Sequence, residues 1–341
     1  MIDVLELSPL TITSVILTLC VIFVNGLTDA PNAISTVVVT RCMGLKSALL
    51  MSAVFNFLGV TVMSAVNNSV TLTVANIVSF GSDTYSASVA LGASLFAIVL
   101  WAVAAWYFGI PTSESHALIA GLTGSAVAIS GGLGGINGGE WIKTVKGLFT
   151  SCLFGFVVGF IICRIIIIIF RNIKRRYADS FFKAGQIAAA GAMSFMHGAQ
   201  DGQKFIAVLM LCTAFSGGKA SVLVQDKALV LLCSVIMALG TLVGGKKIIK
   251  SVGMDMVRLQ RYQGFSADIA ASLSLLVSTV FGYPVSTTHA KTTAMMGAGV
   301  ARDKRAINPS VIKEIALTWL LTFPGCGLIG FVVTKIFLRL F

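Results

Sequence analysis

Two acids placed inside long apolar runs are the residues of this sequence with the clearest chemical potential. Asp29 lies in VNGLTDAPNAIST and Asp201 lies in HGAQDGQKF. Asn32 and Lys204 follow them at i, i+3, a spacing that puts each pair on one face of a helical turn. A charged side chain at bilayer depth costs at least about 2.5–3.5 kcal/mol. We therefore predict that Asp29 and Asp201 bind Na⁺, together with Asn32, or carry a proton; the alternative is that each caps a broken helix end.

Two hydroxyl-rich stretches also share one sequence pattern. IPTSESH ends at His116 and YPVSTTH ends at His289, and each places Ser or Thr between a proline and a short apolar run. That order predicts a helix N-terminus, where free N–H groups, the helix dipole and the hydroxyls together can bind an anion. Ordinary capping explains either stretch alone, but two in the same pattern favour a site for one tetrahedral oxyanion. The predicted anion-binding side chains are Ser113, Ser115, Ser286, Thr287 and Thr288.

The roles of the remaining polar residues near these motifs have more than one interpretation. Glu114 stands inside the first hydroxyl motif, where a carboxylate repels an anion unless it points away, is protonated or holds a cation. Asp268 is either a first-turn acid that complements a helix dipole or an ion ligand. Lys204 either snorkels or neutralises Asp201 or the substrate. The three histidines are interpreted as hydrogen-bonded helix packers rather than ligands.

The composition places the whole chain in a membrane. Hydrophobic residues make up 56% of it, charged residues only 11%, and the mean hydropathy is +0.93. A span needs about 20 apolar residues, and the runs do not alternate in polarity as barrel strands do, so we predict an all-α polytopic protein. The predicted spans are 11–40, 45–65, 86–108, 148–170, 184–212, 228–244, 267–282 and 315–338, with shorter apolar pieces at 117–129 and 290–300.

The distribution of basic residues predicts the orientation. The net charge is +12, and Lys and Arg are concentrated in short loops rather than in a patch that would bind nucleic acid. These loops are 41–47, 171–183, 246–261 and 302–313. By the positive-inside rule these loops are cytoplasmic, and the N-terminus, with Asp3 and Glu6, is extracellular. We expect a multi-pass protein of the plasma membrane.

An internal repeat divides the chain. GIPTSESHALIAGLTG aligns with GYPVSTTHAKTTAMMG at an offset of 173 residues, and the two acid motifs agree with that register to within one residue. About five passes in each half make the repeats antiparallel. We predict two inverted repeats, 1–170 and 184–341, joined by the basic cytoplasmic linker 171–183, with broken helices at matching places and short half-helices near the midplane, as in secondary transporters.

These motifs resemble those of the inorganic phosphate transporter (PiT) family across essentially the whole chain. The segment from Gly26 to Ala33 keeps the family's Gly, Asp, Asn and Ala but departs at Thr28 and Pro31, and the segment from His197 to Lys204 is similar to the Gln-Lys variant of bacterial low-affinity members. The resemblance implies uptake of inorganic phosphate, coupled to Na⁺ or H⁺, by a homodimer. Asn56 stands where many members have Glu.

Together these observations predict a cation-coupled phosphate symporter that works by alternating access. Asn32 and Gln203 are expected to assist the hydroxyls, while Asp29, Asp201, Lys204, Glu114 and Asp268 are the candidate ion-coupling residues. Lys204 supplies a fixed positive charge, which favours protons over Na⁺. Open alternatives are transport of sulfate or another tetrahedral oxyanion, of a neutral metal–phosphate complex, or an anion channel. No cofactor and no enzymatic activity are expected, because the hydrolase-like set Ser113, His116 and Asp29 recurs in the second half without a HExxH or GxSxG motif.

Overall fold

The computed structural model describes residues 8–108, 112–216, 226–244, 259–303 and 307–340. Almost all of them are α-helical, and Val78 and Ile136 form an isolated antiparallel bridge. The helices are α1 Pro9–Thr28, α2 Ala30–Val39, α3 Leu45–Val66, α4 Ser69–Ala75, α5 Thr84–Phe108, α6 Glu114–Ser130, α7 Gly138–Phe170, α8 Arg175–Ser216, α9 Lys227–Val243, α10 Arg261–Val280, α11 Thr287–Val300 and α12 Pro309–Leu340. The prediction of an all-α protein is confirmed.

Several helices are long and apolar enough to cross a membrane. Among the described residues these segments are Pro9–Val39, Leu45–Val66, Thr84–Ala105, Gly138–Phe170 and Ala316–Leu340. Large apolar side chains stand exposed on them, among them Phe149, Ile168 and Leu320. Such a surface suits lipid rather than water. Polar residues lie mainly inside the bundle, where Asp29, Asp201 and Asp268 are all buried.

The first predicted helix break is present and is one residue long. α1 ends at Thr28 and α2 begins at Ala30, with Asp29 between them in a nearly helical conformation (φ −88°, ψ −36°). Pro31 has no N–H to donate to the preceding turn, and the N–H of Asn32 bonds to the Asp29 carbonyl at 3.0 Å, a tighter turn than that of an α-helix. The acid therefore sits at a local break in an otherwise continuous path across the membrane.

The matching break predicted around Asp201 is wrong. α8 runs without interruption for 42 residues, from Arg175 to Ser216, and it also takes in the second part of the predicted linker. This segment has no proline. Its glycines instead allow close helix packing, because a Cβ at Gly198 would lie 2.3 Å from the Asn56 carbonyl oxygen and one at Gly202 would lie 2.6 Å from Val60 Cγ2. The glycines thus bring α8 against α3 rather than breaking it.

The helix contacts occur in pairs, and the internal sequence repeat relates the two contacts of each pair. α6 packs on α12 and α11 packs on α7; α8 packs on α3 and α1 packs on α9; α5 contacts α1 and α10 contacts α8. The two short helices α6 and α11 therefore each pack on the last long helix of the other half of the chain. Their N-terminal ends lie inside the bundle, where Ser113 and Ser286 are fully buried.

Candidate functional site

The two hydroxyl motifs form helix N-termini, as predicted. Ser113 precedes α6, and its Oγ accepts a hydrogen bond from the His116 N–H at 3.3 Å. Ser286 precedes α11 and accepts from the His289 N–H at 3.2 Å. Both serines have an extended backbone, which is the usual conformation of an N-cap. Pro111 lies outside the described residues. Each motif thus combines a capping serine with at least one further hydroxyl on the first helical turn, Ser115 in α6 and Thr287 and Thr288 in α11.

The hydroxyls of α11 contact both acids. Thr288 Oγ1 donates to Asp29 Oδ1 at 3.1 Å, and Thr287 Oγ1 donates to Asp201 Oδ2 at 3.3 Å. Asn32 Nδ2 donates to Thr288 Oγ1 at 3.0 Å. The structure therefore brings these five predicted residues into one buried cluster.

Asn25 joins the two acids directly. Its side-chain amide donates to Asp29 at 3.3 Å and to Asp201 at 3.1 Å. Three side-chain atoms that could bind a metal ion lie within 4.8 Å of one another. They belong to Asp29, Asp201 and His197, one atom from each. His197 is oriented by a 2.9 Å contact between its Nδ1 and Asn56 Oδ1. Asn25 was not among the predicted site residues, although its place one turn before Asp29 is a signal for it.

Lys204 binds the second acid rather than snorkelling. Its Nζ lies 2.6 Å from Asp201 Oδ1, 2.5 Å from Ser115 Oγ and 2.5 Å from the Val285 carbonyl oxygen. Only 1% of the lysine side chain is exposed, so its charge is balanced inside the protein. The structure therefore pairs Lys204 with Asp201, one of the two charge-neutralising arrangements expected, and the same ammonium group links α8 to the two hydroxyl motifs.

Glu114 faces the acids from the first turn of α6. Its Oε1 accepts from Thr28 Oγ1 at 3.4 Å, and its buried Oε2 has no hydrogen-bond partner among the described residues. The site therefore contains three carboxyl groups, from Asp29, Asp201 and Glu114, and the ammonium group of Lys204. If all four groups were charged, two negative charges would be left uncompensated in the protein interior, and such charges need a proton or a cation.

Gln203 and Asp268 lie apart from this cluster. Gln203 Oε1 accepts from the Val70 N–H at 3.2 Å and its Nε2 donates to the Ala199 carbonyl at 3.2 Å, so its amide binds backbone groups of α4 and α8. Asp268 is buried in the interior of α10 and forms an ion pair with Lys291. Its interpretation as a first-turn acid is therefore wrong, because α10 begins at Arg261.

The histidines of the two hydroxyl motifs pack against α12. The rings of His116 and His289 lie edge to face with centroids 4.3 Å apart. His289 stacks on Trp319 at 3.5 Å, and His116 lies 4.5 Å from Phe323. The two rings pack between helices as predicted, but the predicted hydrogen bonding is missing at His116, whose ring nitrogens both lack a partner among the described residues.

The fold and the site define a class of protein. Membrane-length helices enclose a buried polar centre in which hydroxyl-bearing helix N-termini meet paired acids and a lysine. Helix ends of this kind suit anions and carboxylates suit cations, and both occur together at the substrate sites of transporters. The protein is a polytopic membrane transporter.

Sequence comparison gives the family. Residues 25–330 match the phosphate transporter family. A relative from Bacillus subtilis, described as "Probable low-affinity inorganic phosphate transporter", is 32% identical over 335 residues, which cover 96% of this chain and 98% of the relative. A relative of the same description from Rhizobium meliloti is also 32% identical, over 94% of this chain and 95% of its own. The chain therefore belongs to the phosphate transporter family, which is a family of transporters and not of enzymes.

A solved structure shares the fold. The protein described as "The sodium-dependent phosphate transporter" superimposes with a TM-score of 0.87 at 21% sequence identity, over 98% of this chain and 100% of that chain. At this identity the similarity establishes the common architecture.

Proposed function

We propose that this chain takes up inorganic phosphate together with H⁺ or Na⁺ by alternating access. The observation that carries the proposal is the convergence of two buried helix N-termini on the Asp29–Asp201 pair. An oxyanion placed at these ends meets free N–H groups and hydroxyls, while the acids beside it take the coupling cations. The family and its named relatives support phosphate as the oxyanion.

The phosphate ligands in this proposal are the N-terminal groups of α6 and α11. They are Ser113, Ser115, Ser286, Thr287 and Thr288, with Asn32 reaching from α2. Several of these hydroxyls are already bonded to Asp29, Asp201 and Lys204, so phosphate replaces internal contacts when it binds. We assign Gln203 to the positioning of α4 instead, because both of its amide atoms are bonded to backbone groups.

The coupling cation compensates the excess of acids. Asp29 and Glu114 have no ammonium partner among the described contacts, whereas Asp201 has Lys204. We prefer protons because Lys204 already supplies a fixed positive charge beside Asp201. Na⁺ held by Asp29, Asn32 and Asp201 is the second candidate, and the sodium dependence in the description of the solved structure favours it. Uptake of labelled phosphate into proteoliposomes under separate H⁺ and Na⁺ gradients decides between them. Phosphate uptake driven by the Na⁺ gradient alone would contradict our preference for protons as the coupling ion.

In this proposal, alternating access opens the buried site in turn to two cavities on opposite sides of the membrane. A cavity of about 630 Å³ opens near the predicted cytoplasmic loops and is lined by Arg171, Arg175 and Arg261. Another of about 570 Å³ is lined by residues of the sparsely charged loops 67–85 and 131–146, including Asn76 and Asn137, which the positive-inside rule places outside. Asp29, Asp201 and Lys204 are each at most 2% exposed, which supports an occluded state. The corresponding helix pairs support inverted repeats 1–170 and 184–341 around the site, with 171–183 on the cytoplasmic side.

Sulfate is the main competing substrate. HPO₄²⁻ carries a proton and can donate a hydrogen bond to the unpaired Oε2 of Glu114, whereas sulfate has no proton to donate. Excess unlabelled sulfate should therefore leave labelled phosphate uptake nearly unchanged. Strong competition by sulfate would broaden the substrate to oxyanions in general.

The remaining alternatives are separated in the same vesicles. Uptake that requires divalent cations and ceases with a chelator would indicate a metal–phosphate complex. Cation-coupled accumulation of phosphate against its electrochemical gradient excludes an anion channel. Assembly as a homodimer and location in the plasma membrane with the N-terminus outside are part of the proposal; light scattering of the purified protein and access of an impermeant reagent to an N-terminal tag test them.

A further inference from the structure

Two buried lysines have matching surroundings in different parts of the protein. Lys204 Nζ contacts a carboxylate oxygen of Asp201, the hydroxyl of Ser115 and the carbonyl oxygen of Val285. Lys291 Nζ contacts a carboxylate oxygen of Asp268, the hydroxyl of Thr36 at 3.1 Å and the carbonyl oxygen of Ala33 at 3.4 Å. Each ammonium group thus meets one carboxylate, one hydroxyl and one backbone carbonyl.

These ligands are the kind that bind a hard metal cation. Carboxylate, hydroxyl and carbonyl oxygens are preferred by such ions, and in transporters backbone carbonyls beside helix ends hold Na⁺. The Lys291 position is completely enclosed, with no exposed surface on either Lys291 or Asp268. Thr36 also donates to both Asp268 oxygens, at 2.8 and 2.9 Å, so its oxygen lone pairs are directed to the ammonium group.

The other half of the chain shows that the fold does not need this ion pair. The offset of 173 residues maps Asp268 to Leu95 and Lys291 to Leu118, and the register of the acid motifs maps Thr36 to Val208. All three counterparts are fully buried in one apolar cluster. The same place in the architecture is therefore filled by hydrocarbon in one half and by a complete cation site in the other.

We propose that Lys204 and Lys291 are tethered substitutes for diffusible alkali-metal cations, and that the Asp268–Thr36–Ala33 site binds Na⁺ once Lys291 is removed. At these two carboxylates the chain supplies its own positive charge. If the proposed transport function holds, the two positions that the ammonium groups occupy take no cation from the coupling gradient.

The test is Na⁺ binding by three purified proteins without phosphate: the wild type, Lys291→Ala, and the double variant Lys291→Leu/Asp268→Leu. The double variant restores the apolar pair that the other half carries. Melting temperature is measured in NaCl and in choline chloride at equal ionic strength, and radioactive Na⁺ binding gives the stoichiometry. Because a ligand that binds only the folded state stabilises it, Lys291→Ala should gain a Na⁺-dependent rise in Tm and one additional Na⁺ per protomer. The double variant should match the wild type.

The proposal is overturned if Lys291→Ala responds to Na⁺ no more than the wild type does. It is also overturned if Lys291→Ala yields no folded protein in Na⁺ while the double variant does. If neither variant folds, the same titration on Lys204→Ala decides, because the proposal covers both sites. Phosphate is absent throughout, so a negative result leaves the proposed transport function untouched.

Discussion

Asp29, at the break between α1 and α2, and Asp201, inside the continuous helix α8, accept hydrogen bonds from the same side-chain amide, that of Asn25, at 3.3 and 3.1 Å. Two carboxyl groups from opposite halves of the chain are thereby fixed beside each other. Their partners differ, however. Asp201 holds Lys204 at 2.6 Å, whereas Asp29 has the hydroxyl of Thr288. The pair is joined geometrically and is asymmetric in charge.

Replacing the shared donor tests this geometry. Asn25→Leu removes both bonds and should reduce phosphate uptake at least about tenfold. It should also lower the free energy of unfolding by about 1.5–3 kcal/mol for each charged acceptor left without its donor. Uptake in proteoliposomes and thermal unfolding measure the two effects. Asn68→Ala is the control, because Asn68 is exposed, lies outside the cluster and makes no side-chain cap bond to α4. Normal uptake by Asn25→Leu would show that the acids do not act as a pair.

The two acids should respond differently to the same substitution. Asp29→Asn removes a carboxylate that has no ammonium partner, so uptake should be abolished while the melting temperature stays near that of the wild type. Asp201→Asn should abolish uptake and also destabilise the fold by about 3–5 kcal/mol, because it leaves Lys204 buried and unpaired. Adding Lys204→Met to Asp201→Asn should recover much of the stability but not the uptake. Equal stability of the two single variants would contradict the assigned pairing.

Two threonines of α11 provide a matched pair for the substrate site. Thr288→Val removes a hydroxyl that contacts Asp29 and Asn32, and we expect a rise in the KM for phosphate by about tenfold or more, the effect of one lost hydrogen bond of about 1.5 kcal/mol. Thr293→Val is the control, because the hydroxyl of Thr293 bonds only to backbone carbonyls of its own helix. Initial rates over a range of phosphate concentrations give the KM of each variant. An unchanged KM in Thr288→Val would remove that hydroxyl from the binding site.

The contact between α3 and α8 depends on glycine. A Cβ at Gly198 would lie 2.3 Å from the Asn56 carbonyl oxygen and 2.8 Å from its Cα, both of which are backbone atoms that cannot rotate away. Gly198→Ala should therefore cost about 1–3 kcal/mol or more and displace the His197–Asn56 hydrogen bond. Gly138→Ala should be neutral, because a Cβ added there would meet no other heavy atom of the described residues within 4 Å beyond its own chain neighbours and helix backbone. Wild-type stability of Gly198→Ala, measured by thermal unfolding, would show that the helices can separate without loss.

The helix N-termini at Ser113 and Ser286 could be predicted because their signals are local. A proline, a capping hydroxyl and a following apolar run specify such an end within a few residues. The break at Asp29 followed in the same way from Pro31. The predicted break at Asp201 was wrong because glycine has two uses in membrane helices. Only the close approach of Asn56 and Val60 shows that Gly198 and Gly202 pack α8 against α3.

The sequence by itself determined the membrane class, the all-α fold and the paired motifs, because hydropathy and helix-end signals act over neighbouring residues. The tertiary structure decided which side chains meet: Asn25 with both acids, Lys291 with Asp268, and Gln203 with the backbone of α4. Those contacts join helices far apart in the chain, and their formation depends on helix rotation and register. These are set by packing across the whole bundle, which no local stretch of sequence contains.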